Sequence, residues 1–174
     1  MLGFAASAVA AAADATTSKE YQVKAAFLLN FAQFVEWPDD AFAGADTPLR
    51  IGVLGEDPFG TALEEMIRGE TVHNRAIVVH RSQEGDDLRN CHLVFISRSE
   101  KAHLPEVFAS QGQGTTLTVS DIEGVASQGG VIGFYLEGKK VRFELNPAAA
   151  QKQRLKLSAQ LLRLGRIIAP VPMP

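Results

Sequence analysis

The first strong hydrophobic pattern in the chain predicts a buried helix over residues 18–37. Its large apolar side chains recur at spacings of three and four residues, so that they share one helix face: Phe27, Leu28, Phe31, Phe34 and Val35. Ser18 is suited to cap the amino end of this helix, and Pro38 to end it. Because Ala26 and Leu29 widen the apolar surface beyond that face, we expect most of the helix to be buried.

The middle of the chain alternates between strand and helix patterns. The predicted strands are residues 49–54, 76–80, 91–97 and 116–120, and the predicted helices are residues 58–68 and 104–111. Residues 93–96 are apolar at every position, which is typical of a parallel strand covered on both faces. This alternation predicts a mostly parallel sheet with helices on both sides.

After Gly130 the pattern changes to that of an antiparallel hairpin. Residues 131–136 and 141–145 predict two strands, and residues 137–140 predict the turn that joins them. We therefore predict an α/β fold, a three-layer sandwich with helices on both faces. Its mostly parallel sheet of about four strands is extended by the C-terminal antiparallel hairpin.

Residues 147–168 predict one long helix with two apolar faces. One face should pack on the sheet and consists of Leu157, Leu161, Leu164 and Ile168. The opposite face consists of Leu155, Ala159 and Leu162. Either further protein within the chain covers this second face or a partner does, and we expect it to form a homodimer contact.

The composition indicates a soluble, folded chain without a nucleic-acid partner. Its 174 residues suit one domain, and 17 Lys and Arg against 20 Asp and Glu give a net charge of −3. Nucleic-acid-binding domains usually carry a clustered basic excess instead. No metal site built from several cysteines and no intramolecular disulfide is possible, because Cys91 is the single cysteine.

The amino-terminal segment has the character of an export signal. Residues 2–13 form a short apolar run of small side chains, and two small-x-small sites follow at residues 11–13 and 13–15. We therefore divide the chain into a signal-peptide remnant, residues 1–15, and a single domain, residues 16–174. The alternative is a disordered Ala-rich leader or the first turn of a helix.

Candidate ligand-binding side chains follow the predicted parallel strands, because ligands of open α/β sheets bind at the carboxyl ends of the strands. Ser97, Ser99 and Glu100 follow the third strand, and Asp121 follows the fourth. The alternative is that these residues only cap helices. A phosphate-binding loop is disfavoured because residues 55–60 carry two carboxylates and a proline, and a phosphoacceptor receiver domain is disfavoured because Ser97 stands where its Asp would be.

The last predicted strand presents a polar face. Arg142, Glu144 and Asn146 alternate with apolar residues and therefore point to the same side. They are either the solvated side of an edge strand or a recognition surface, in which the Arg fork holds an anionic or zwitterionic ligand. The histidines show no metal-ligand spacing and no neighbouring nucleophile, so we predict no catalytic residue, no metal and no cofactor.

Several separated segments together resemble the YfiR-like family of bacterial periplasmic proteins. They are residues 24–38, 57–60, 91–100, 117–121, 129–130 and 142–146. The resemblance extends over about residues 20–168. It implies a secreted α/β protein without enzymatic activity, usually a homodimer. One difference is that the family's namesake carries two disulfides, whereas this chain has only Cys91.

The resemblance also implies a function and partners. The family's namesake restrains an inner-membrane diguanylate cyclase by binding its periplasmic domain, so that cyclic di-GMP and biofilm formation fall. An OmpA-like outer-membrane lipoprotein sequesters the namesake in turn. The expected function here is therefore a periplasmic repressor of such a cyclase. The alternative is a periplasmic small-ligand-binding protein without a cyclase partner.

Sequencing of the mature amino terminus tests the expected export. A protein expressed from its native start should be recovered from the periplasm with Asp14 or Thr16 as its first residue, because signal peptidase accepts small residues before the cut. A soluble cytoplasmic product that retains Met1 or Phe4 would contradict this expectation.

Overall fold

The computed structural model describes the backbone of residues 5–169 and the side chains of residues 17–169. Helix α1 occupies Ala5–Phe34 and continues through Ser18, the predicted cap. The helix extends further than predicted because alanine, which dominates residues 5–13, is the strongest helix former. Residues 1–4 of the predicted signal-peptide remnant lie outside the described residues.

The remaining elements follow in chain order. The strands are β1 Val35–Glu36, β2 Leu49–Leu54, β3 Ile77–Ser82, β4 Leu93–Ile96, β5 Leu117–Ser120, β6 Ile132–Glu137, β7 Lys140–Leu145, β8 Lys156–Leu157 and β9 Arg166–Ile167. The helices are α2 Ala62–Ile67, α3 Leu104–Gln111, α4 Pro147–Lys152 and α5 Ala159–Leu164. Short 3₁₀ segments are Asp39–Ala41, Gly85–Leu88, Arg98–His103 and Ala126–Gln128.

The main sheet of the described residues has seven strands in the order β3-β2-β4-β5-β6-β7-β9. Neighbouring strands from β3 to β6 are parallel, β6 and β7 form the predicted antiparallel hairpin, and β9 pairs in parallel with β7. The hairpin turn is tight, because Glu137 pairs with Lys140 and Gly138 adopts a φ of 63°. β1 and β8 form a separate antiparallel pair.

Buried apolar side chains of residues 17–169 form two clusters, one on each face of the main sheet. The larger cluster joins α1, α2 and α5 to the sheet, and the smaller one contains α3 residues. Successive β4 residues divide between them, since Phe95 belongs to the larger cluster while Val94 and Ile96 belong to the smaller. The predicted three-layer α/β sandwich is therefore confirmed.

The predicted long helix over residues 147–168 is wrong. The chain leaves α4 at Arg154, which adopts a positive φ of 54°, and then forms β8, α5 and β9. A new helix begins after Ser158, whose Oγ accepts a hydrogen bond from the Leu161 amide at 3.1 Å. The breaks place Leu155 in the core and let β8 pair with β1.

The residues of the two expected apolar faces do not form two faces of one helix. Leu155 is buried, Leu162 packs partly buried on the same cluster, and Ala159 is exposed. Leu161 is buried as expected, whereas Leu164 is 64% exposed. The set Leu155, Ala159 and Leu162 is therefore no continuous exposed stripe, and it gives no structural support to a homodimer contact.

Of the other predicted helices, α3 has the predicted span, residues 104–111. Helix α2 begins at Ala62 rather than at Pro58, because the Asp57 side chain accepts a hydrogen bond from the Phe59 amide at 2.9 Å and holds this loop in a turn.

Candidate functional site

An open cavity of about 640 Å³ lies at the carboxyl ends of β4 and β5. Strand β6 overlaps β5 by only the pairs Val119–Ile132 and Ser120–Gly133, so β6 and its neighbours extend past the end of β5 and form a wall. The lining includes the cations Lys24, Arg98 and Arg166, the carboxylates Asp121, Glu123 and Glu144, and the aromatic residues Phe134 and Tyr135. Charges of both signs thus face one aromatic-walled space.

The floor of this cavity is a buried ion pair. The Lys24 and Asp121 side chains are each 2% exposed, and Lys24 Nζ lies 2.7 Å from Asp121 Oδ2. Lys24 also pairs with Glu20, one helical turn earlier in α1. Because an isolated charge inside a protein is strongly unfavourable, each of these buried groups depends on the other.

Asp121 receives further donors on the same oxygen. The Tyr21 hydroxyl donates to Oδ2 at 2.7 Å, and Arg98 Nε lies 3.2 Å from it. Burial and the hydrogen bond to Asp121 raise the pKa of Tyr21, so its phenol remains a neutral donor. The other oxygen, Oδ1, is buried and has no hydrogen-bond partner among the described residues. Asp121 therefore keeps an unused acceptor beside the cavity.

The opposite wall carries a second ion pair. Arg166 of β9 donates to Glu144 of β7 at 2.7 Å, and its guanidinium lies 4.4 Å from the centre of the Tyr135 ring. The hydrogen bond to Glu144 raises the pKa of Arg166, which stays charged. Next to this pair, Arg142 Nε donates to Glu137 at 3.1 Å and lies outside the cavity lining.

The structure brings two of the predicted site residues, Asp121 and Glu144, to one cavity. Asn146 does not share that face: it is buried and caps α4, where its Oδ1 accepts from the Ala149 amide at 3.0 Å. Its Nδ2 donates to the Ala126 carbonyl at 2.7 Å. Its predicted orientation is wrong because β7 ends one residue earlier, at Leu145.

The serines after β4 also lie outside the cavity lining. Ser97 is buried and precedes the 3₁₀ segment Arg98–His103. Ser99 Oγ accepts from the Glu56 amide at 3.0 Å and donates to Glu100 at 3.1 Å. These contacts join the loops that follow β2 and β4. Ser99 therefore has a structural role here, although it joins two loops instead of capping a helix.

Sequence reasoning missed several members of the site. Lys24, Tyr21 and Arg166 were not singled out, although Lys24 lies on the apolar face of α1 with Glu20 four residues before it. A lysine on a buried helix face requires a carboxylate partner, and this signal could have identified it. That the partner is Asp121, 97 residues away, could not be read from the spacing.

The chain matches the profile of a known protein family over most of its length. The profile described as YfiR/HmsC-like matches residues 21–166. The chain belongs to the YfiR/HmsC-like family. The predicted family is therefore confirmed, and the matched range includes the cavity-lining residues from Lys24 to Arg166. A comparison with curated protein sequences gives no significant match.

Solved structures similar to this YfiR/HmsC-like chain share the fold. A conserved domain protein from Vibrio cholerae O1 biovar El Tor str. N16961 superposes with a TM-score of 0.50 and 9% identity, over 68% of this chain and 54% of that one. An ABC domain from Streptococcus pneumonia in complex with L-Trp gives a TM-score of 0.50 and 10% identity, over 68% and 55%. The chain thus spans about half the length of these proteins.

The YfiR/HmsC-like family is regulatory rather than catalytic, and its members are periplasmic regulators of cyclic di-GMP signalling. Across the described part of the chain, no group of three or more His, Cys, Asp or Glu side chains could hold a metal ion. None of the helices in this part combines the length and the hydropathy of a membrane-spanning segment.

Replacement of Lys24 tests the importance of the buried ion pair. Lys24→Met should lower the free energy of unfolding by about 3–5 kcal/mol, because it leaves the buried Asp121 carboxylate without its main cation. Arg98→Met is the matched control, since the Arg98 side chain is 61% exposed and its removal should cost at most about 1 kcal/mol. Urea denaturation at pH 7 measures both. Equal losses in the two variants would contradict a special role for Lys24.

Proposed function

We propose that this YfiR/HmsC-like protein represses a membrane diguanylate cyclase by binding the cyclase's periplasmic domain, which lowers cyclic di-GMP and biofilm formation. The family match over residues 21–166 carries this proposal, because it covers nearly the whole of the sandwich and not a single motif. In this proposal, residues 1–15 are the remnant of a signal peptide that directs the domain to the periplasm and is removed there. A homodimer and capture by an OmpA-like outer-membrane lipoprotein belong to the same proposal.

Exposed apolar side chains near the cavity support action by protein contact. Leu136 lines the cavity and is 49% exposed, and Ile167 of the neighbouring edge strand β9 is 56% exposed. Exposed apolar side chains next to charged ones are typical of protein interfaces. The cyclase domain therefore contacts this rim in our proposal, and the cavity lies directly at the contact.

Deletion of the gene tests the regulatory function. Cellular cyclic di-GMP should rise when the protein is deleted in a strain that expresses a cyclase with a periplasmic domain. In a strain that already lacks this cyclase, deletion of the gene should leave cyclic di-GMP unchanged. Unchanged cyclic di-GMP in the single deletion, with the cyclase present, would reject repression.

Complementation of the deletion with surface variants locates the contact. Ile167→Glu should fail to lower cyclic di-GMP while remaining folded, because it places a charge in an apolar contact. Ala109→Glu, on the exposed side of α3 and away from the cavity, should complement like the wild type. Full complementation by Ile167→Glu would place the contact elsewhere.

A second candidate function is the binding of a small ligand, and the cavity favours it specifically. Guanidinium groups of Arg98 and Arg166 can hold a carboxylate, the carboxylates of Asp121 and Glu123 can hold an ammonium group, and Tyr135 offers a ring face. We propose a zwitterionic aromatic molecule as the ligand class, acting either as an effector of repression or without a cyclase partner. L-Trp, present in the similar Streptococcus structure, is the first probe.

Calorimetric titration with L-Trp tests this candidate. Arg166→Ala should weaken binding about ten-fold or more, because it removes a charged hydrogen-bond donor from the ligand carboxylate. Arg142→Ala is the matched control, since Arg142 is likewise an exposed arginine that pairs with one glutamate but is outside the cavity lining. An equal loss of L-Trp affinity in both variants would count against a ligand of this class in the cavity. The absence of any heat of binding with the wild type would also count against it.

A further inference from the structure

A second, independent feature lies at the opposite end of the sheet from the cavity described above. His92 immediately precedes β4, at the amino end of that strand, and is only 5% exposed. Between β1 and β2 the chain forms a long loop, residues 37–48, and this loop packs over His92. The contacts of one imidazole ring therefore connect the loop to the sheet.

Both ring nitrogens of His92 have backbone partners. The Arg50 amide of β2 donates to Nδ1 at 2.9 Å, so this nitrogen is an acceptor and carries no proton. Nε2 lies 3.0 Å from the Ala41 carbonyl oxygen and donates its proton to it. These two bonds together require a neutral imidazole. A proton added at Nδ1 would face the Arg50 N–H, donor against donor.

Aromatic contacts extend the connection to the rest of the loop. The Phe42 ring stacks on the His92 ring with centroids 4.2 Å apart, and the Trp37 indole donates to the His92 carbonyl at 3.2 Å. Arg75 lies 3.8 Å from the Phe42 ring centre and donates to the carbonyls of Gly44 and Thr47 at 2.8 Å. The loop, held in this way, walls an open cavity of about 520 Å³ beside Trp37.

The charged groups around His92 also disfavour a second proton. Burial lowers the pKa of His92, the Ala41 hydrogen bond opposes this, and the positive charges of Arg50 and Arg75 lower it further. Burial raises the pKa of the adjacent Cys91 thiol to about 11, so the thiol stays neutral. The carboxylates of the 3₁₀ segment Asp39–Ala41 are exposed, and Asp40 pairs with Arg154, away from the ring.

We propose that His92 makes the loop over residues 37–48 an acid-released latch: protonation at Nδ1 expels the Arg50 amide, frees the loop from the amino end of the sheet and removes one wall of the cavity beside Trp37. The latch is a property of the fold itself and does not depend on the proposed partner or ligand. Its direction follows from proton linkage. The closed loop is fully stable above pH 6.5 and loses stability as the pH falls below it, because the open form binds the extra proton.

Tryptophan fluorescence follows the latch directly, because Trp37 is the single tryptophan of the chain and bonds to His92. Emission of the wild type should change in one step on titration from pH 8 to pH 4.5, with a midpoint below 6.5. His92→Gln, which offers one donor and one acceptor but does not titrate, should abolish this step. His73→Gln should keep it, although His73 lies 6.5 Å from the Trp37 ring. A step that persists in His92→Gln would overturn the proposal.

Amide hydrogen exchange of the wild type, observed by NMR, tests the latch without any variant. The Arg50 amide should lose its protection from exchange as the pH falls, with the same midpoint pH as the fluorescence step. Protection of the Leu117 amide, which donates to the His92 backbone carbonyl at 2.8 Å, should remain, because this bond belongs to the β4–β5 pairing. Retained Arg50 protection at pH 4.5 would overturn the latch. Simultaneous loss at Leu117 would also overturn it, since that result indicates global unfolding.

Discussion

The buried pair of Lys24 and Asp121 is the interaction on which the arrangement of this molecule depends most. It joins the first helix to the carboxyl end of a central strand, and its two partners are 97 positions apart in the chain. Bringing both charges out of water is costly, and their attraction compensates only while the geometry is kept. α1 is therefore held at one position and rotation against the sheet, with its aromatic side chains packed on Phe134 and Phe143.

The same pair gives the cavity its chemical character. Asp121 Oδ2 is saturated by donors from α1 and from the loop after β4, while Oδ1 keeps an unused acceptor. The short overlap of β5 and β6 moves the hairpin outward, so that a second ion pair, Glu144 with Arg166, faces the first across the cavity. The lining of the cavity thus combines residues of a helix, of loops and of the edge of the sheet.

The two ends of the sheet differ in the kind of polar contact that they use. At the carboxyl ends, charged side chains pair with one another. At the amino ends, His92 satisfies backbone groups in its neutral form, and aromatic rings complete the packing. A neutral imidazole that accepts one bond and donates another is sensitive to protons in a way that a carboxylate with an arginine is not, because a single proton reverses the role of one ring nitrogen.

The amino-acid sequence by itself determined the sandwich, its hairpin and helix α3, because each depends on a local pattern of apolar spacing and turn residues. It also pointed to Asp121, because topology places the ends of parallel strands together. Only the tertiary structure decided the course of residues 147–168. The apolar spacing there fits one continuous helix as well as it fits the observed course. Burial of Leu155 and pairing of β8 with β1 require the turn at Arg154. Likewise, packing between distant segments decides that Asp121 is the carboxylate that pairs with Lys24. No local sequence pattern predicts this pairing.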